Sequence, residues 1–419
     1  MLEIIAVLFG FVVLGILLIL RLPIWITLIA TAITTSIIAG GVEGLINVIS
    51  LTTFDVTTSD LLVVTFLIAV FVNLYKNTGY IDCLGRELVK ALKRPKLVLV
   101  IVPAILGLLP VAGGALMSAP VVDFIGDTVG LKKDSKLFIN VWYRHVIFLF
   151  YPISNVMILT AALSGTSVWD IAYRQLPVAA TMVIAGFIIG FKREKPRHRP
   201  STVTIMEMSG RPNFKLLAKA LTPIVVAVLL SILLSPIINY VMGTQLRALS
   251  VSIMIGVVLA LLSLLLLSMP KRHAFLNAIT NRSTAELVLA AYGAMLLRTA
   301  FIKVDIGHII SGVLSGYISP SVLAIALPAI LAFATGTSIG SIAISLPILA
   351  SLTHLTPGLT ALVYASAFSG YLPSPLHLCY IYTAQYLNIS LTAGYKYMVP
   401  AIVLIIAAAY GAYVFIMPQ

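Results

Sequence analysis

Long apolar runs recur along almost the whole chain, separated by short polar stretches, and their lengths predict membrane-spanning helices. Runs near 3–20, 22–40, 60–78, 136–163 and 170–191, and again near 216–240, 247–268, 284–303, 359–387 and 394–416, come close to or exceed the ~20 residues that cross a bilayer. Two further stretches, LVLVIVPAILGLLPVAGGALMSAP (97–120) and VLAIALPAILAFATGTSIGSIAISLPILA (322–350), have a different pattern: an apolar arm, a small-residue or hydroxyl-rich centre, and a second apolar arm. That pattern predicts a re-entrant hairpin; a single kinked span is the alternative, since Pro and Gly are common in membrane helices. The expected fold is an all-α polytopic membrane protein with about ten transmembrane helices and two re-entrant hairpins.

Charge fixes the orientation. Only 10% of the 419 residues are charged and 60% are hydrophobic, yet Lys and Arg number 27 against 14 Asp and Glu. The basic residues concentrate near 76–96, 121–136, 192–215 and 269–283, whereas the other loops hold little beyond Arg174, Arg247 and Lys303. With both hairpins re-entrant, this asymmetry puts the basic loops in the cytoplasm and both termini outside. The net charge of +13 is then an orientation signal, and nucleic acid drops out as a partner; the bilayer is the surrounding phase. The first apolar run has Glu3 before it and no basic residue, which fits a retained span of a cytoplasmic-membrane protein and not a cleaved leader. Two cysteines, Cys83 in a basic loop and Cys379 in an apolar run, give no expectation of a disulfide.

The pattern also repeats. PAIL occurs at Pro103–Leu106 and again at Pro328–Leu331, each in the first arm of a hairpin, and YPISNVMILTA (151–161) aligns without gaps to SPLHLCYIYTA (374–384). In the same register Pro177 falls on Pro400. The chain therefore divides into a first repeat, 1–191 (scaffold 1–78, hairpin 97–120, broken helix 136–163, last helix 170–191), a basic linker, 192–215, and a second repeat, 216–419 (scaffold 216–303, hairpin 322–350, broken helix 359–387, last helix 394–416). An odd number of crossings in each half makes the two repeats inverted in the membrane.

Inverted repeats with paired broken segments point to secondary transport, because a mid-membrane break exposes helix termini that can hold ions. Pro152 and Pro375 are the expected helix breaks. Beside them Ser154, Asn155, Ser374 and His377 are candidate substrate-binding residues, joined by Gly113, Gly114 and Ser118 at the first hairpin tip and Thr335, Gly336, Thr337 and Ser338 at the second. The alternative is that these small residues serve only close helix packing. Arg144 lies roughly 12 Å along the helix from the inner end, where it either attracts an anion or snorkels to the interface. His145 and His377 are candidate proton carriers or hydrogen-bonded structural residues. No Asp or Glu stands where a midplane cation site needs one, which disfavours antiport through a buried carboxylate and favours a small anion, an organic carboxylate or inorganic oxyanion, coupled to H+ or Na+. Beyond that coupling ion, no cofactor or metal is expected.

This arrangement resembles the ion transporter superfamily, with LPVAGGALMSAP and YPIS as the most suggestive local matches and a prokaryotic branch of uncharacterised integral membrane proteins as the nearest relatives. The resemblance implies an elevator mechanism in a homodimer, in which the hairpins, broken helices and last helices move past the scaffold. In the symporter branch both hairpin tips carry Ser-Asn-Thr. Here the second reads Thr335 to Ser338 and the first reads Ala112 to Gly114 with no such motif, which departs from a dicarboxylate site with paired sodium ions. A channel or uniporter, and an intramembrane Ser/His enzyme, are the competing classes; the chain has no phosphate-binding loop for nucleotide-driven transport.

Overall fold

A computed structural model describes residues 2–20, 22–92, 94–108, 115–191, 210–242, 245–305 and 319–416. The first hairpin tip, with Gly113 and Gly114, and residues 192–209 of the 192–215 linker lie outside the described residues. The fold is almost entirely helical, with no strand among the described residues. Its first half comprises α1 (Leu2–Ile19), α2 (Ile24–Thr53), α3 (Val56–Asn77), α4 (Tyr80–Ala91), α5 (Pro95–Gly107), α6 (Ala115–Thr128), α7 (Lys133–Val146), α8 (Asn155–Ser164), α9 (Val168–Arg174) and α10 (Leu176–Gly190). The second comprises α11 (Phe214–Met242), α12 (Gln245–Ser268), α13 (Arg272–Thr280), α14 (Arg282–Lys303), α15 (Pro320–Thr335), α16 (Ser338–Leu352), α17 (Pro357–Tyr371), α18 (Leu378–Leu387) and α19 (Tyr395–Gly411).

Local chemistry explains these boundaries. Asp55 accepts the Thr58 amide to cap α3, Ser319 and Thr356 cap α15 and α17, and a proline fills the first helical position in both of the latter. Within α2, Thr31, Thr35 and Ser36 return their hydroxyls to carbonyls one turn back at 2.7–2.9 Å, so polar side chains enter an apolar helix without an unpaired donor. The outward faces stay apolar: Tyr240, Leu266, Ile188 and Ile330 are largely exposed, as lipid-facing residues would be.

Among the described residues six helical stretches are long and apolar enough to cross a bilayer, or seven if the bent pair α8–α9 counts as one. Breaks account for much of the shortfall against ten. The runs 136–163 and 359–387 are each divided near Pro152 and Pro375 into two helices shorter than a span, and α8 turns through 113° into α9. The other two apolar stretches fold as helical hairpins, α5–α6 and α15–α16. In the second, Ser341 Oγ on α16 donates to the Pro328 carbonyl on α15 at 2.6 Å, tying the antiparallel arms together.

Two groups of helices emerge. α1, α2, α3, α11, α12, α13 and α14 pack against one another, while the hairpins, α7, α8, α10, α17, α18 and α19 form a second body. The groups meet mainly where α14 touches α16 and α3 touches α8. Those seams border the cavities described next.

Candidate functional site

Two cavities converge on the second hairpin tip. The larger, about 520 Å³, is lined by Trp25, Asn73, Lys76, Asn155, Asn281, Ser283, Glu286 and Thr337 among others, and its exposed rim carries Lys76, Asn281 and Ser283. The smaller, about 260 Å³, is lined by Arg144, His145, Tyr364, Phe368, Tyr371, Cys379 and the tip residues Gly336, Thr337 and Ser338. Thr337 and Ile339 belong to both, so the tip separates a wide vestibule from an inner chamber.

The backbone shapes the chamber. α15 ends on Gly336, whose φ of 66° is left-handed, and the chain restarts as α16 at Ser338. Thr337, at the N-cap of α16, makes no side-chain capping bond, which leaves the leading amides and positive end of that helix to a ligand or water. Next to α16 packs α8. Its first residue is Asn155, whose buried Oδ1 has no hydrogen-bond partner among the described residues. The carboxamide can turn either its acceptor or its donor edge toward the vestibule.

The two breaks follow one plan. In each, the residue before the second helix turns its amide back three positions: Ser154 to the Tyr151 carbonyl at 3.2 Å and His377 to the Ser374 carbonyl at 3.0 Å. Helices α8 and α18 are both ten residues long and start at Asn155 and Leu378, the positions that the ungapped alignment sets opposite. Thr160 and Thr383, also opposite, bond the Val156 and Cys379 carbonyls at 2.7 Å. Side chains differ where the helices start. Ser154 caps α8 by accepting the Met157 amide at 3.1 Å, whereas His377 makes no capping bond.

Several expected ligand groups turn out to be occupied by the fold. Ser374 donates to the Phe333 carbonyl at 2.6 Å, pinning the second break to the hairpin. Ser118 donates to Asn140 Oδ1 at 2.6 Å, and Asn140 in turn reaches Thr383 Oγ1 at 2.9 Å. Thr335 bonds the Leu331 carbonyl at 2.7 Å. None of these three lines either cavity, nor does Ser154. Arg144 does not snorkel: it is 1% exposed and donates to the Leu106 carbonyl, at the end of α5, at 2.9 Å. The residues brought to the cavities are thus Arg144, His145, Asn155, Gly336, Thr337 and Ser338.

Beside them the structure brings the two candidate histidines together with two groups that sequence reasoning did not select, Tyr371 and Cys379. The His145 and His377 ring centroids lie 4.7 Å apart, the Tyr371 ring sits 3.9 Å from His377, and the Cys379 thiol joins the pair. The one signal in sequence was His377-Leu378-Cys379 two residues after Pro375, in an apolar run where Cys379 gave no expectation of a disulfide.

Against known proteins, residues 1–417 match the family described as "Protein of unknown function (DUF401)", and the chain belongs to that family. No curated protein matches it. Among solved structures it is similar to the Alcanivorax borkumensis YdaH transporter, described as having an unusual topology, with a TM-score of 0.63 at 12% identity over 90% of this chain and 89% of that one. At that identity the likeness establishes a shared fold, that of a multi-pass membrane protein.

Proposed function

We propose that the protein is a secondary active transporter of the ion transporter superfamily that carries a small anion, an organic carboxylate or inorganic oxyanion, across the cytoplasmic membrane with H+ or Na+ as the coupling ion. The observation that carries this reading is the inner chamber: a cavity of about 260 Å³ with no carboxylate among its described lining residues, bordered by the buried Arg144 guanidinium and the uncapped N-terminus of α16. A positive helix end and a fixed cation suit an anion. The similar fold of a protein described as a transporter supports the same class.

In this reading the two helix groups are scaffold and carrier. The matched breaks, together with the paired hairpins, are the inverted repeats, and an elevator motion of the carrier shifts the chamber from one side to the other. The rim residues Lys76, Asn281 and Ser283 lie at the helix ends that the charge asymmetry assigns to the cytoplasm, so in this reading the vestibule faces inward. A second copy completes a homodimer through the scaffold.

Uptake of labelled small anions into proteoliposomes, with Na+ and pH gradients imposed separately, tests the reading. Accumulation driven by one gradient supports it. Fast downhill flux indifferent to both gradients identifies a channel or uniporter instead.

A further inference from the structure

His145, at the end of α7, His377, in the second break, and Cys379, on the first turn of α18, are 2%, 0% and 5% exposed, and one potential ligand atom from each lies within 4.8 Å of the others. We propose that these three residues form a binding site for a single borderline or soft transition-metal ion, with Zn2+ as the representative species.

Ring orientation is the first argument. His145 Nδ1 meets the Val141 carbonyl at 2.6 Å and His377 Nδ1 meets the Leu372 carbonyl at 3.1 Å. Each contact selects the Nδ1–H tautomer and leaves Nε2 as the lone-pair nitrogen. Histidines that bind metals are held in this way, by a backbone carbonyl or carboxylate on the far ring nitrogen. An orphaned atom supplies the second argument: His377 Nε2 is buried with no hydrogen-bond partner among the described residues, a costly state for a polar atom unless something binds it. At the matching position in the first break Ser154 spends its side chain on capping α8, and His377 does no such service for α18.

The donor set decides the kind of ion. Two imidazoles and a thiolate suit Zn2+, Cu+ or Co2+ and are poor ligands for Na+, Mg2+ or Ca2+, which require oxygen. Bonds of roughly 2.0–2.1 Å to nitrogen and 2.3 Å to sulfur place tetrahedral ligand atoms about 3.3–3.6 Å apart, so from a separation within 4.8 Å the side chains need to close by roughly 1.5 Å at most. His145 and Cys379 also line the chamber, so the fourth coordination position faces it. At the corresponding places in the first break stand Ser154 and Val156, which cannot repeat the set, and among the described residues this is the one such group. An ion here would staple α7 to the second break. The inference is independent of the transport reading, because it is tested by binding alone.

The full-length protein, purified in detergent, stripped with chelator and dialysed against Zn2+, is analysed for metal and then titrated with Co2+. One ion per chain is expected, with a thiolate-to-cobalt charge-transfer band. Cys379→Ser should abolish that band. His377→Ala should weaken binding by more than the roughly 10–100-fold that loss of an outer-sphere partner costs. His273→Ala and Cys83→Ser, at residues outside the cluster, should leave both readouts unchanged. Should the ligand variants not fold, a measurement on the intact cluster decides: in Cys83→Ser protein, Zn2+ should slow alkylation of Cys379. Sub-stoichiometric metal in wild type, retention of the cobalt band in Cys379→Ser, or alkylation indifferent to Zn2+ would each overturn the proposal, leaving the trio a buried polar cluster.

Discussion

Gly336 at the tip of the second hairpin lies directly against Leu376 in the second break: a Cβ added to the glycine would stand 2.5 Å from the Leu376 Cβ. With φ at 66°, the position is closed to larger residues twice over, by backbone conformation and by contact. Hairpin and break are therefore one structural unit. Gly336→Ala should cost roughly 1–2 kcal/mol of stability from backbone strain alone and should reduce uptake more than expression. Measuring thermal midpoint and initial uptake rate on the same preparation separates the two effects.

Asn155 offers a test of the sign of the substrate charge. As the first residue of α8, an Asp at that position favours the helix by about 0.3–1 kcal/mol through the helix dipole. It also brings a negative charge to the wall of the vestibule. The dipole gain partly offsets the cost of burying the carboxylate oxygen, so Asn155→Asp should remain folded while losing anion uptake, with KM rising more than maximal rate falls. If uptake survived that substitution intact, the vestibule would not be the anion's route.

Lys136, 2% exposed on α7, binds two carboxylates of α6, Asp123 at 2.7 Å and Asp127 at 2.8 Å. This pairing fixes the second arm of the first hairpin. Lys136→Met would leave the two Asp residues facing one another without a counter-charge and should destabilise by about 1–3 kcal/mol, less than for a fully buried pair because both carboxylates reach solvent. The triple variant Lys136→Met/Asp123→Asn/Asp127→Asn should recover part of that loss, as read by thermal unfolding in detergent.

Acid sensitivity should trace in part to Glu87 on the amphipathic helix α4. It accepts Lys90 Nζ at 2.8 Å and the Asn213 amide at 2.7 Å, and these bonds hold its carboxyl below the ordinary value of 4.5. A carboxyl with a depressed folded-state pKa contributes its stability above the unfolded-state value and loses it as pH falls through the folded-state value. Glu87→Gln should thus unfold at a lower temperature than wild type at neutral pH. The gap should narrow as pH drops below about 4.5. A gap independent of pH would assign the effect to packing.

Much of the helical layout was legible in the chain because prolines and glycines act locally. Pro152 and Pro375 remove backbone donors, and α8 and α18 begin three residues later in each case. Thr337 was legible for the same reason, since a hydroxyl beside a glycine between two apolar arms marks a tip. Ser118, Ser154 and Ser374 were read as ligand groups, yet each satisfies nearby polar groups of the fold itself. In a low-dielectric interior a short hydroxyl takes the nearest partner, and sequence does not say whether that is a ligand or the fold. Arg144 was open between anion and interface until α5 supplied the Leu106 carbonyl that holds it. The cluster around His377 was invisible because its parts lie more than 230 positions apart, in segments that only the packing of α7 on α18 brings together.

Alternating exposure of the hairpin tip is the central claim, and the most direct measurement is the reactivity of Thr337→Cys, in a Cys83→Ser/Cys379→Ala background, toward a membrane-impermeant thiol reagent in right-side-out and inside-out vesicles. The account predicts labelling from the cytoplasmic side in the conformation described here and from the outer side in a second population, with the ratio shifting when substrate or the coupling gradient is applied. Labelling from one side alone under every condition, in protein that still transports, would contradict it.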